Sequence, residues 1–522
     1  MSLVDLVDAR ADQSPDDLVF LDDRGRQMTC AEFQAESHNA ASRLAGLGVG
    51  PDSLVSWILP TTIEALVVMV ALSRLGAVQN PIIPMYRQRE ISHILDEASV
   101  DAMIVVPSWA DLDYKAMTDA LSAVRGGIPP VWTLDDLLGD SASLQPVASQ
   151  RGAVQKPAQW LFYTSGSSGV PKGCRHTDQS LFSSAAGMIR HLEMTAEDRS
   201  GIAFPIAHIG GAVNLMAALL SGATLILIEK FSREDSIVVL GRGRVTMAGS
   251  GTAFHLAYLE AQASQPDEAI FPLLRCCPGG GAPKPPGLHE RVKRELGGVG
   301  ILSGWGLTEA PVLTMGKPQD PDEKLSDTEG RPLPGVVVRV VGSDGRQRGA
   351  GEPGELRVQA PQQMLGYVNR QLDADVFDDE GFLRTGDLGI VDADGFVRIT
   401  GRLKDVVIRN GENVATAEVE ELLRAHPDVI DAAVIGLPDE RTGERVCAVI
   451  ELTSKAEALN VQRVGAYLGD AGLRRIAWPE QIEIVTSLPR NVAGKIDKTA
   501  LKDAFSPDAG SDLHGHRAAG RQ

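Results

Sequence analysis

The chain has 522 residues, with a hydrophobic fraction of 43%, a charged fraction of 23% and a formal net charge of −19. This length exceeds the roughly 250–300 residues at which a single hydrophobic core stops growing, so it predicts two or more domains. The globular composition argues against a disordered chain, and the negative charge argues against binding to nucleic acid or to an anionic membrane surface.

Strand-then-helix alternation dominates the first part of the chain. A short apolar strand is predicted over residues 54–59, and a helical pattern of apolar residues follows from 63 to 72. Similar alternations recur near residues 101–106, 198–204, 223–228 and 299–303. This pattern predicts a layered α/β architecture with a largely parallel sheet.

Targeting and membrane signals are weak. Residues 1–22 alternate apolar residues with Asp and Arg, unlike the unbroken apolar stretch of a signal peptide. The longest apolar run, residues 212–228, is interrupted by Asn214, Ser221 and Gly222, which favours a helix followed by a buried strand over a membrane span. The five cysteines lack metal-ligand spacing, and an odd number of scattered cysteines fits a reducing compartment. We therefore predict a soluble, cytoplasmic protein without a membrane span.

The pattern changes near residue 329. Short β-rich runs, separated by Asp-Gly turns, predict a small antiparallel β region at 336–341, 354–358, 389–391 and 395–399. A second alternation predicts helices at 416–425 and 460–472 and strands at 430–436, 446–452 and 481–485. The predicted fold is therefore a large α/β N-terminal domain over residues 1–402, a small α+β C-terminal domain over 403–505 and a disordered tail over 506–522.

A segment rich in glycine and serine, residues 163–173, follows the apolar strand Trp160–Phe162. Its glycines free the backbone to wrap around an anion, its hydroxyl and N–H groups can donate to phosphate oxygens, and Lys172 supplies a mobile positive charge. Pro171 and Gly173 on either side of Lys172 exclude a Walker A loop, and a flexible surface loop is the alternative interpretation. The predicted phosphate-binding residues are Thr164, Ser165, Gly166, Ser167, Ser168, Gly169 and Lys172.

Five further segments follow in the chain: Gly280–Pro283, Gly304–Glu309, Thr385–Leu388, Gly401–Asp405 and Pro489–Lys498. In this order and spacing, the six segments resemble the adenylate-forming superfamily of acyl-CoA synthetases, luciferases and peptide-synthetase adenylation domains. The resemblance covers nearly the entire chain. It implies an enzyme that activates a carboxylic acid with ATP and Mg²⁺ as an acyl-adenylate and then passes the acyl group to coenzyme A.

The resemblance also implies roles for single residues at the nucleotide. Trp305 would stack on the purine, Thr308 would donate to the α-phosphate, and Glu309 would hold Mg²⁺. Asp387 and Arg402 would contact the ribose hydroxyls. A buried core tryptophan, a salt-bridged surface glutamate and a turn aspartate are the respective alternatives for Trp305, Glu309 and Asp387. The nucleotide-binding residues implied outside the phosphate loop are Gly280, Gly281, Ala282, Trp305, Gly306, Thr308, Asp387 and Arg402.

The last segment carries the residue implied to drive the first step. Lys495 would reach from the small domain to the carboxylate and the α-phosphate, where a cation offsets the repulsion between two anions. A surface lysine is the alternative. The small domain would then rotate about a hinge at Lys404 and bring the loop over residues 408–413 to the site. Arg409 and Gly411 of that loop would contact coenzyme A.

The acyl group is less well defined by the sequence. Residues 173–178 are similar to the corresponding stretch of cyclohexanecarboxylate-type CoA ligases, and the small residues over 248–254 favour a bulky, alicyclic or fatty acid. Tight helix packing is the alternative explanation for those small residues. The predicted residues of the acyl pocket are His208, Gly211, Gly251 and Gly304. For His208, a core histidine that bonds to the backbone is an equally weighted alternative.

Two positions depart from the usual pattern of the superfamily. Ser167 and Ser168 replace the commoner Thr-Thr pair, and Thr416 stands where proline is frequent. The altered loop leaves open a ligase specialised for thioesterification of a supplied acyl-adenylate. A stand-alone adenylation enzyme that loads a carrier protein is a further alternative. The predicted partners are a small carboxylic acid, ATP and coenzyme A, and a homodimer is compatible with the sequence.

Overall fold

The computed structural model describes residues 1–51, 53–110, 112–138, 158–164, 171–249, 251–281, 284–409, 412–439, 442–454, 459–471, 473, 475–491 and 494–506. Its α-helices are α1 Leu3–Gln13, α2 Cys30–Gly46, α3 Ile63–Arg74, α4 Gln88–Ala98, α5 Tyr114–Arg125, α6 Leu134–Leu138, α7 Asp178–Leu192, α8 Ile209–Ser221, α9 Asp235–Arg242, α10 Thr252–Ser264, α11 Leu288–Glu295, α12 Asp322–Asp327, α13 Asp373–Val376, α14 Thr416–Arg424, α15 Val461–Asp470 and α16 Lys498–Phe505. Short 3₁₀ helices cover Arg370–Leu372, Leu403–Asp405 and Arg475–Ala477.

The strands, in chain order, are β1 Leu18–Asp22, β2 Gln27–Thr29, β3 Leu54–Ile58, β4 Val78–Pro81, β5 Ala102–Val105, β6 Ser108–Trp109, β7 Leu112–Asp113, β8 Val131–Thr133, β9 Trp160–Thr164, β10 Lys172–His176, β11 Arg199–Ile202, β12 Thr224–Leu227, β13 Met247–Ala248, β14 Cys277–Gly280, β15 Ile301–Leu307, β16 Ala310–Met315, β17 Arg331–Pro332, β18 Val337–Val341, β19 Gly354–Gln359, β20 Leu383–Val391, β21 Val397–Arg402, β22 Val406–Arg409, β23 Glu412–Ala415, β24 Val429–Asp439, β25 Gly443–Leu452 and β26 Gln481–Val485.

The chain divides into two compact units, which we call the large unit and the small unit. The large unit comprises residues 1–385 and 390–398, and the small unit comprises residues 386–389 together with the chain from residue 399 onward. The predicted domain boundary at residue 402 falls four residues after this division, at the last residue of β21. Ser506 caps α16, and the remainder of the predicted tail lies outside the described residues.

A hydrophobic core lies between two mostly parallel sheets of the large unit. One sheet has the strand order β13-β11-β12-β1-β2, and the other has the order β10-β9-β4-β3-β5-β8. The core cluster contains residues of both sheets and of helices α2, α3, α7 and α8, so these helices fill the space between the sheets. Helix α3 has nine buried residues and is apolar all round, as expected for a helix enclosed by its neighbours.

The apolar run over residues 212–228 forms a helix and then a strand, as predicted. Helix α8 ends at Gly222, which adopts a left-handed conformation with φ of 84°, and β12 follows at once as a fully buried strand. Across the described part of the chain, no helix is both long and apolar enough to cross a membrane.

Two further sheets have four strands each. The first has the order β14-β15-β16-β17, in which β14 and β15 are parallel and β15 and β16 are antiparallel. The second follows the chain order β18-β19-β20-β21, with Val337 paired to Gln359 in antiparallel register. This second sheet is the antiparallel region predicted between residues 329 and 400.

The small unit is a sheet covered on both faces. Its central strand is β25, which pairs with β24 and β22 in antiparallel and with β26 in parallel register. Alternate residues of β24 enter two separate clusters: Ala432 and Val434 pack with α14 and α15, whereas Ala433 and Ile435 pack with α16. The predicted α/β architecture, with a large N-terminal part and a small C-terminal part, is therefore confirmed.

Candidate active site

The carboxyl ends of several parallel strands meet at one edge of the large unit. Strand β11 is parallel to β12 and to β13, Met247 of β13 forms a parallel bridge with Cys276, and β14 is parallel to β15. Ligands of α/β proteins bind outside the carboxyl ends of such strands. The segments that leave this edge contain the predicted residues His208, Gly251, Gly281, Thr308 and Glu309, so the topology gathers motifs that are distant in sequence.

The predicted phosphate loop connects β9 and β10. These strands are antiparallel, and Lys172 pairs directly with Thr164, so the two ends of the loop are held side by side. The Lys172 ammonium lies 5.5 Å from the centroid of the Tyr367 ring. The predicted residues Ser165, Gly166, Ser167, Ser168 and Gly169 lie outside the described residues.

Glu309 lies at the tip of the hairpin formed by β15 and β16. Leu307 pairs with Ala310, so Thr308 and Glu309 form the two-residue turn. The Tyr367 hydroxyl donates a hydrogen bond of 2.7 Å to Oε1 of Glu309. Burial, and then the negative charge of Glu309, raise the pKa of Tyr367, so the phenol stays a donor. Tyr367 thus brings Lys172 and Glu309 to one place in the large unit.

Tyr367 was not predicted from the sequence. It lies between the recognised segments, and no spacing in the chain links it to Glu309. The signal for its role is three-dimensional: Leu365 N and Val368 N donate to the carbonyls of Arg175 and Gly173, which brings the Tyr367 segment onto β10 beside Lys172.

Thr308 is supported by a buried histidine. One ring nitrogen of His176, Nε2, lies 2.8 Å from the Thr308 carbonyl, and the other, Nδ1, lies 3.0 Å from Ser180 Oγ. Burial lowers the pKa of His176 to about 4, against an opposing hydrogen bond to Thr308, so the imidazole is neutral. A carbonyl only accepts, so Nε2 carries the proton. His176 lies within residues 173–178, which the sequence analysis had used only to infer the acyl substrate.

The resemblance to the superfamily implies that Gly280, Gly281 and Ala282 form a wall that faces the adenine, and the described part of this segment is bare backbone. Gly280 pairs with Gly304 in parallel register, and a Cβ at Gly280 would lie 2.5 Å from the Gly304 carbonyl oxygen. Gly280 also has φ of 151°, which an L side chain rarely adopts. Gly281 faces open space, whereas Ala282 lies outside the described residues. A Cβ at Gly251 would lie 3.2 Å from the Gly280 carbonyl oxygen, so the predicted acyl-pocket glycine borders this wall.

Trp305 is more enclosed than stacking on a nucleotide would suggest. The residue is 7% exposed, and its backbone N–H donates to Thr314 Oγ1 at 3.2 Å. The burial fits the alternative interpretation of a core tryptophan, and stacking on the purine stays a prediction. The next residue, Gly306, is exposed, and a Cβ at this position would overlap the backbone of Val312.

His208 is exposed, which rules out the alternative of a core histidine. It is the N-cap of α8, where Nδ1 accepts a hydrogen bond of 3.1 Å from Gly210 N, and its ring lies edge-on to Phe204. Gly211 is buried, and a side chain there would overlap the Ile206 carbonyl, so this glycine allows close packing. Its place in the acyl pocket stays a prediction.

Three predicted residues lie together in the small unit. Arg402 Nε and Asp387 Oδ1 form an ion pair of 2.8 Å, in which the aspartate is buried. Lys495 lies beside the tip of a short hairpin and is exposed. Partial desolvation, and then Arg402, lower the pKa of Lys495, whereas Asp387 raises it. The ribose residues and the lysine therefore act on one another electrostatically within this unit.

The predicted loop over residues 408–413 is wrong as a description of local structure. Val407 pairs with Val414 and Arg409 with Glu412, which makes a hairpin of β22 and β23, because β-branched residues favour strands. Arg409 donates to the Ile476 carbonyl at 2.7 Å and pairs with Glu480 at 2.6 Å. Its guanidinium already has partners, so its predicted contact with coenzyme A stays a prediction. Gly411 lies outside the described residues.

The predicted hinge residue, Lys404, lies in the short 3₁₀ helix Leu403–Asp405 between β21 and β22. This segment is not part of a β-sheet, and it connects two strands that belong to different sheets. Such short connections are where changes in φ and ψ are usually absorbed in domain rotations.

Magnesium fits this site as a companion of ATP. Among the residues that the structure describes, no group of three or more His, Cys, Asp or Glu side chains could hold a metal ion by itself. Mg²⁺ is commonly bound by one or two carboxylates together with substrate phosphates. Glu309, oriented by Tyr367 and close to Lys172, provides a carboxylate of this kind.

The fold and the site define an adenylate-forming α/β enzyme with a small C-terminal unit. Residues 7–368 match the AMP-binding enzyme family, and residues 418–495 match the AMP-binding enzyme C-terminal domain. The chain therefore belongs to the AMP-binding enzyme family, which confirms the superfamily predicted from the six sequence segments.

Two relatives and one solved structure show how far the similarity extends. A 3-[(3aS,4S,7aS)-7a-methyl-1,5-dioxo-octahydro-1H-inden-4-yl]propanoyl:CoA ligase from Mycobacterium tuberculosis is 32% identical, covering 92% of this chain and 94% of the relative. A salicyl-AMP ligase / salicyl-S-ArCP synthetase from the same organism is 31% identical, covering 91% and 85%. The crystal structure of ATP-bound MatB from Rhodopseudomonas palustris superimposes with a TM-score of 0.85 at 26% identity, covering 98% of this chain and 100% of that chain.

Proposed function

We propose that the chain is an AMP-forming acyl-CoA synthetase that uses ATP, Mg²⁺ and coenzyme A. The observation that carries this proposal is the contact of Tyr367 with both Lys172 and Glu309 at the edge where the parallel strands end. The arrangement offers a cation for phosphate oxygens and a carboxylate for the magnesium that accompanies ATP. Family membership supports the same conclusion.

In the first step, a carboxylate oxygen of the substrate attacks the α-phosphorus of ATP, and the bond to pyrophosphate breaks. Lys172 would bind the phosphates, and Thr308 would donate to the α-phosphate. Lys495 would lie between the two reacting anions, where its charge offsets their repulsion. When bound, Mg²⁺ neutralises phosphate charge, and Glu309 would hold it. Because no enzyme nucleophile is required, catalysis rests on positioning and charge.

In the second step, the thiol of coenzyme A attacks the acyl carbonyl, the bond to AMP breaks, and a thioester forms. We propose that the small unit rotates about Lys404 between the steps. This rotation withdraws Lys495 and presents the β22–β23 hairpin, with Arg409 and Gly411, to the thiol substrate. The ion pair of Arg409 with Glu480 would hold the hairpin in shape during this movement.

For the acyl group we propose a bulky or alicyclic acid. Gly251 borders the Gly280 wall without a side chain, and His208 is exposed at the start of α8 on a segment from the same edge. The relative at 32% identity has a polycyclic propanoyl group in its name, which supports the same size class.

Loading of a carrier protein is the second candidate function. It is favoured by the relative at 31% identity, whose name includes a salicyl-S-ArCP synthetase activity. The two functions differ only in the thiol acceptor. If coenzyme A supports full turnover without any added protein acceptor, the CoA ligase is the correct alternative.

The test is AMP release that depends on both the acid and coenzyme A. The panel of acids is acetate, octanoate, palmitate, benzoate and cyclohexanecarboxylate, with Lys495→Ala as the inactive reference. We expect turnover of at least one of the larger acids and loss of most activity in the variant. Absence of AMP release with every acid, with or without coenzyme A, would contradict the proposed function.

We also propose a cytoplasmic location. The cysteines Cys30, Cys174, Cys276, Cys277 and Cys447 are all free and buried, which suits a reducing compartment. The oligomeric state stays open, and sedimentation of the purified chain would establish whether the predicted homodimer forms.

A further inference from the structure

The hairpin that carries Lys495 is held rigid by its own backbone. Arg490 bridges to Ile496, and Asn491 N donates to the Lys495 carbonyl at 2.7 Å. Lys495 N in turn donates to Asn491 Oδ1 at 3.1 Å. Residues 492 and 493 at the tip lie outside the described residues. The backbone on both sides of the tip is therefore fixed relative to the two hairpin strands.

Arg490 links this tip to the central sheet of the small unit. Its Nη1 donates to the Gly494 carbonyl at 3.1 Å, one residue before Lys495. Its Nη2 donates to Asp431 Oδ2 at 2.6 Å. A planar guanidinium can bridge two such acceptors with little loss of freedom, whereas a single-point cation cannot hold both in fixed geometry. Arg490 thus connects the turn before Lys495 with strand β24.

Asp431 is a fixed anchor for this contact. Its other oxygen, Oδ1, accepts hydrogen bonds from Arg424 Nε at 2.8 Å and from Ala432 N at 2.8 Å. The strand register shifts between Val429 and Asp431, so Asp431 lies at an irregularity of β24. The strand itself is packed on both faces. The second oxygen therefore faces Arg490 from a rigid platform.

We propose that Arg490 and Asp431 are positioning residues that aim Lys495 for adenylation. The inference rests on the proposed function, in which Lys495 offsets the repulsion between the carboxylate and the α-phosphate. Lysine has a flexible stem, so the direction in which it projects depends on the backbone from which it starts. Because Arg490 holds the turn, the ammonium group of Lys495 occupies a narrower range of positions. Small displacements at a reacting centre lower the reaction rate substantially.

The test separates the two half-reactions in Arg490→Gln. Adenylation is measured as acid-dependent pyrophosphate exchange, with the panel acid that the wild type turns over fastest. Thioesterification is measured as transfer to coenzyme A from the preformed acyl-adenylate of that acid. We expect exchange to fall at least about tenfold, and thioester formation to stay within about twofold, because Lys495 acts only in the first step. A general loss of folding would lower both rates together.

Arg445→Gln is the matched control. Arg445 also links elements of the small unit, since it binds the Gln481 side chain and the Pro438 carbonyl. These partners lie outside the contact of Arg490 with Asp431 and outside the Lys495 hairpin. We expect both half-reactions of this variant to stay within about twofold of the wild type. Arg490→Lys keeps the charge beside Asp431 but cannot bridge both acceptors, so exchange should recover only in part.

Different results contradict different claims. Equal loss of both half-reactions in Arg490→Gln, or no loss of either, overturns the positioning role. Loss of exchange in Arg445→Gln as large as that in Arg490→Gln overturns it as well. If Lys495→Ala retains full exchange, the role of Lys495 in the proposed function is wrong, whatever the Arg490 variants show. If exchange is normal in Arg490→Gln but lost in Lys495→Ala, only the positioning role of Arg490 is wrong, and the role of Lys495 stands.

Discussion

At the scale of single residues, the phosphate end of the site depends on the hydrogen bond from Tyr367 to Glu309. Glutamate has rotational freedom that a magnesium ligand must lose, and the tyrosine hydroxyl fixes one of its oxygens at 2.7 Å. Because the pKa of Tyr367 is raised, the hydroxyl keeps its proton at all physiological pH values. The tyrosine would therefore orient the predicted magnesium ligand Glu309 without competing for the metal.

Tyr367→Phe removes only this hydroxyl. We predict about a tenfold fall in kcat/KM and a higher Mg²⁺ concentration for half-maximal activity, since partners that orient metal ligands typically contribute 10- to 100-fold. Acyl-CoA formation is measured as a function of Mg²⁺ concentration. Tyr114→Phe, which removes a buried hydroxyl bonded to the Pro84 carbonyl, is the control and should leave the Mg²⁺ dependence unchanged. An unchanged Mg²⁺ requirement in Tyr367→Phe would show that Glu309 needs no such partner.

At the scale of elements, the pairing of β14 with β15 builds the predicted adenine-facing wall. A Cβ at Gly280 would lie 2.5 Å from the Gly304 carbonyl oxygen, and a Cβ at Gly304 would lie 2.8 Å from the Thr314 carbonyl oxygen of β16, so neither position has room for a side chain. Strand pairing therefore keeps the wall flat, and both strands contribute to this flatness.

Gly280→Ala tests this wall. The new methyl group would lie 2.5 Å from the Gly304 carbonyl oxygen in a backbone conformation that alanine rarely adopts, so the strands must separate locally. We predict a rise in KM for ATP of about tenfold, with a smaller effect on the KM for coenzyme A. Gly345→Ala is the control, because that glycine also has positive φ but faces open space in a turn. Equal effects of the two variants on the KM for ATP would contradict the assignment of the wall.

At the scale of the whole molecule, buried histidines link stability to pH. Burial lowers the pKa values of His176 and His255 to about 4. In the unfolded chain both should titrate near 6.5, so between these values the unfolded state binds more protons. Their contribution to stability is complete above pH 6.5 and is lost progressively as the pH falls toward 4.

When the pH falls from 7 to 5, we predict that the free energy of unfolding decreases by about 2 kcal/mol for each of these two histidines. Denaturant unfolding at the two pH values measures it. Replacing both His176 and His255 with Gln should reduce the difference between the two pH values, whatever its effect on stability at pH 7. Replacing the exposed His38 with Gln is the control. A pH dependence that persists unchanged in the double variant would assign it to other groups.

The proposed rotation of the small unit makes a separate prediction for Lys404. Proline at this position fixes φ and restricts the preceding residue, so the hinge loses freedom. In Lys404→Pro we expect pyrophosphate exchange to stay within about threefold and thioester formation to fall at least about tenfold. Lys404→Ala, which keeps the backbone free, should retain both. Normal thioester formation in the proline variant would place the hinge elsewhere.

The sequence by itself determined most of the elements and the class of chemistry. The strand at 54–59, the helix and strand over 212–228 and the alternation after residue 416 all appear in the structure, because hydrophobic periodicity and turn residues act locally. Local propensity also explains the error over residues 408–413, where β-branched residues extend the strands into the predicted loop. The segments containing Lys172, Glu309 and Lys495 identified the family because each encodes its own short-range geometry.

Only the tertiary structure decided which side chains support those residues. Tyr367 meets Glu309 across 58 positions and Arg490 meets Asp431 across 59, and no local pattern encodes such distances. The structure also showed that Gly211 serves packing and that His208 is exposed, because burial depends on elements that are remote in sequence. Motifs are local in the chain, whereas the hydrogen bonds that aim them form only once distant strands have paired and packed.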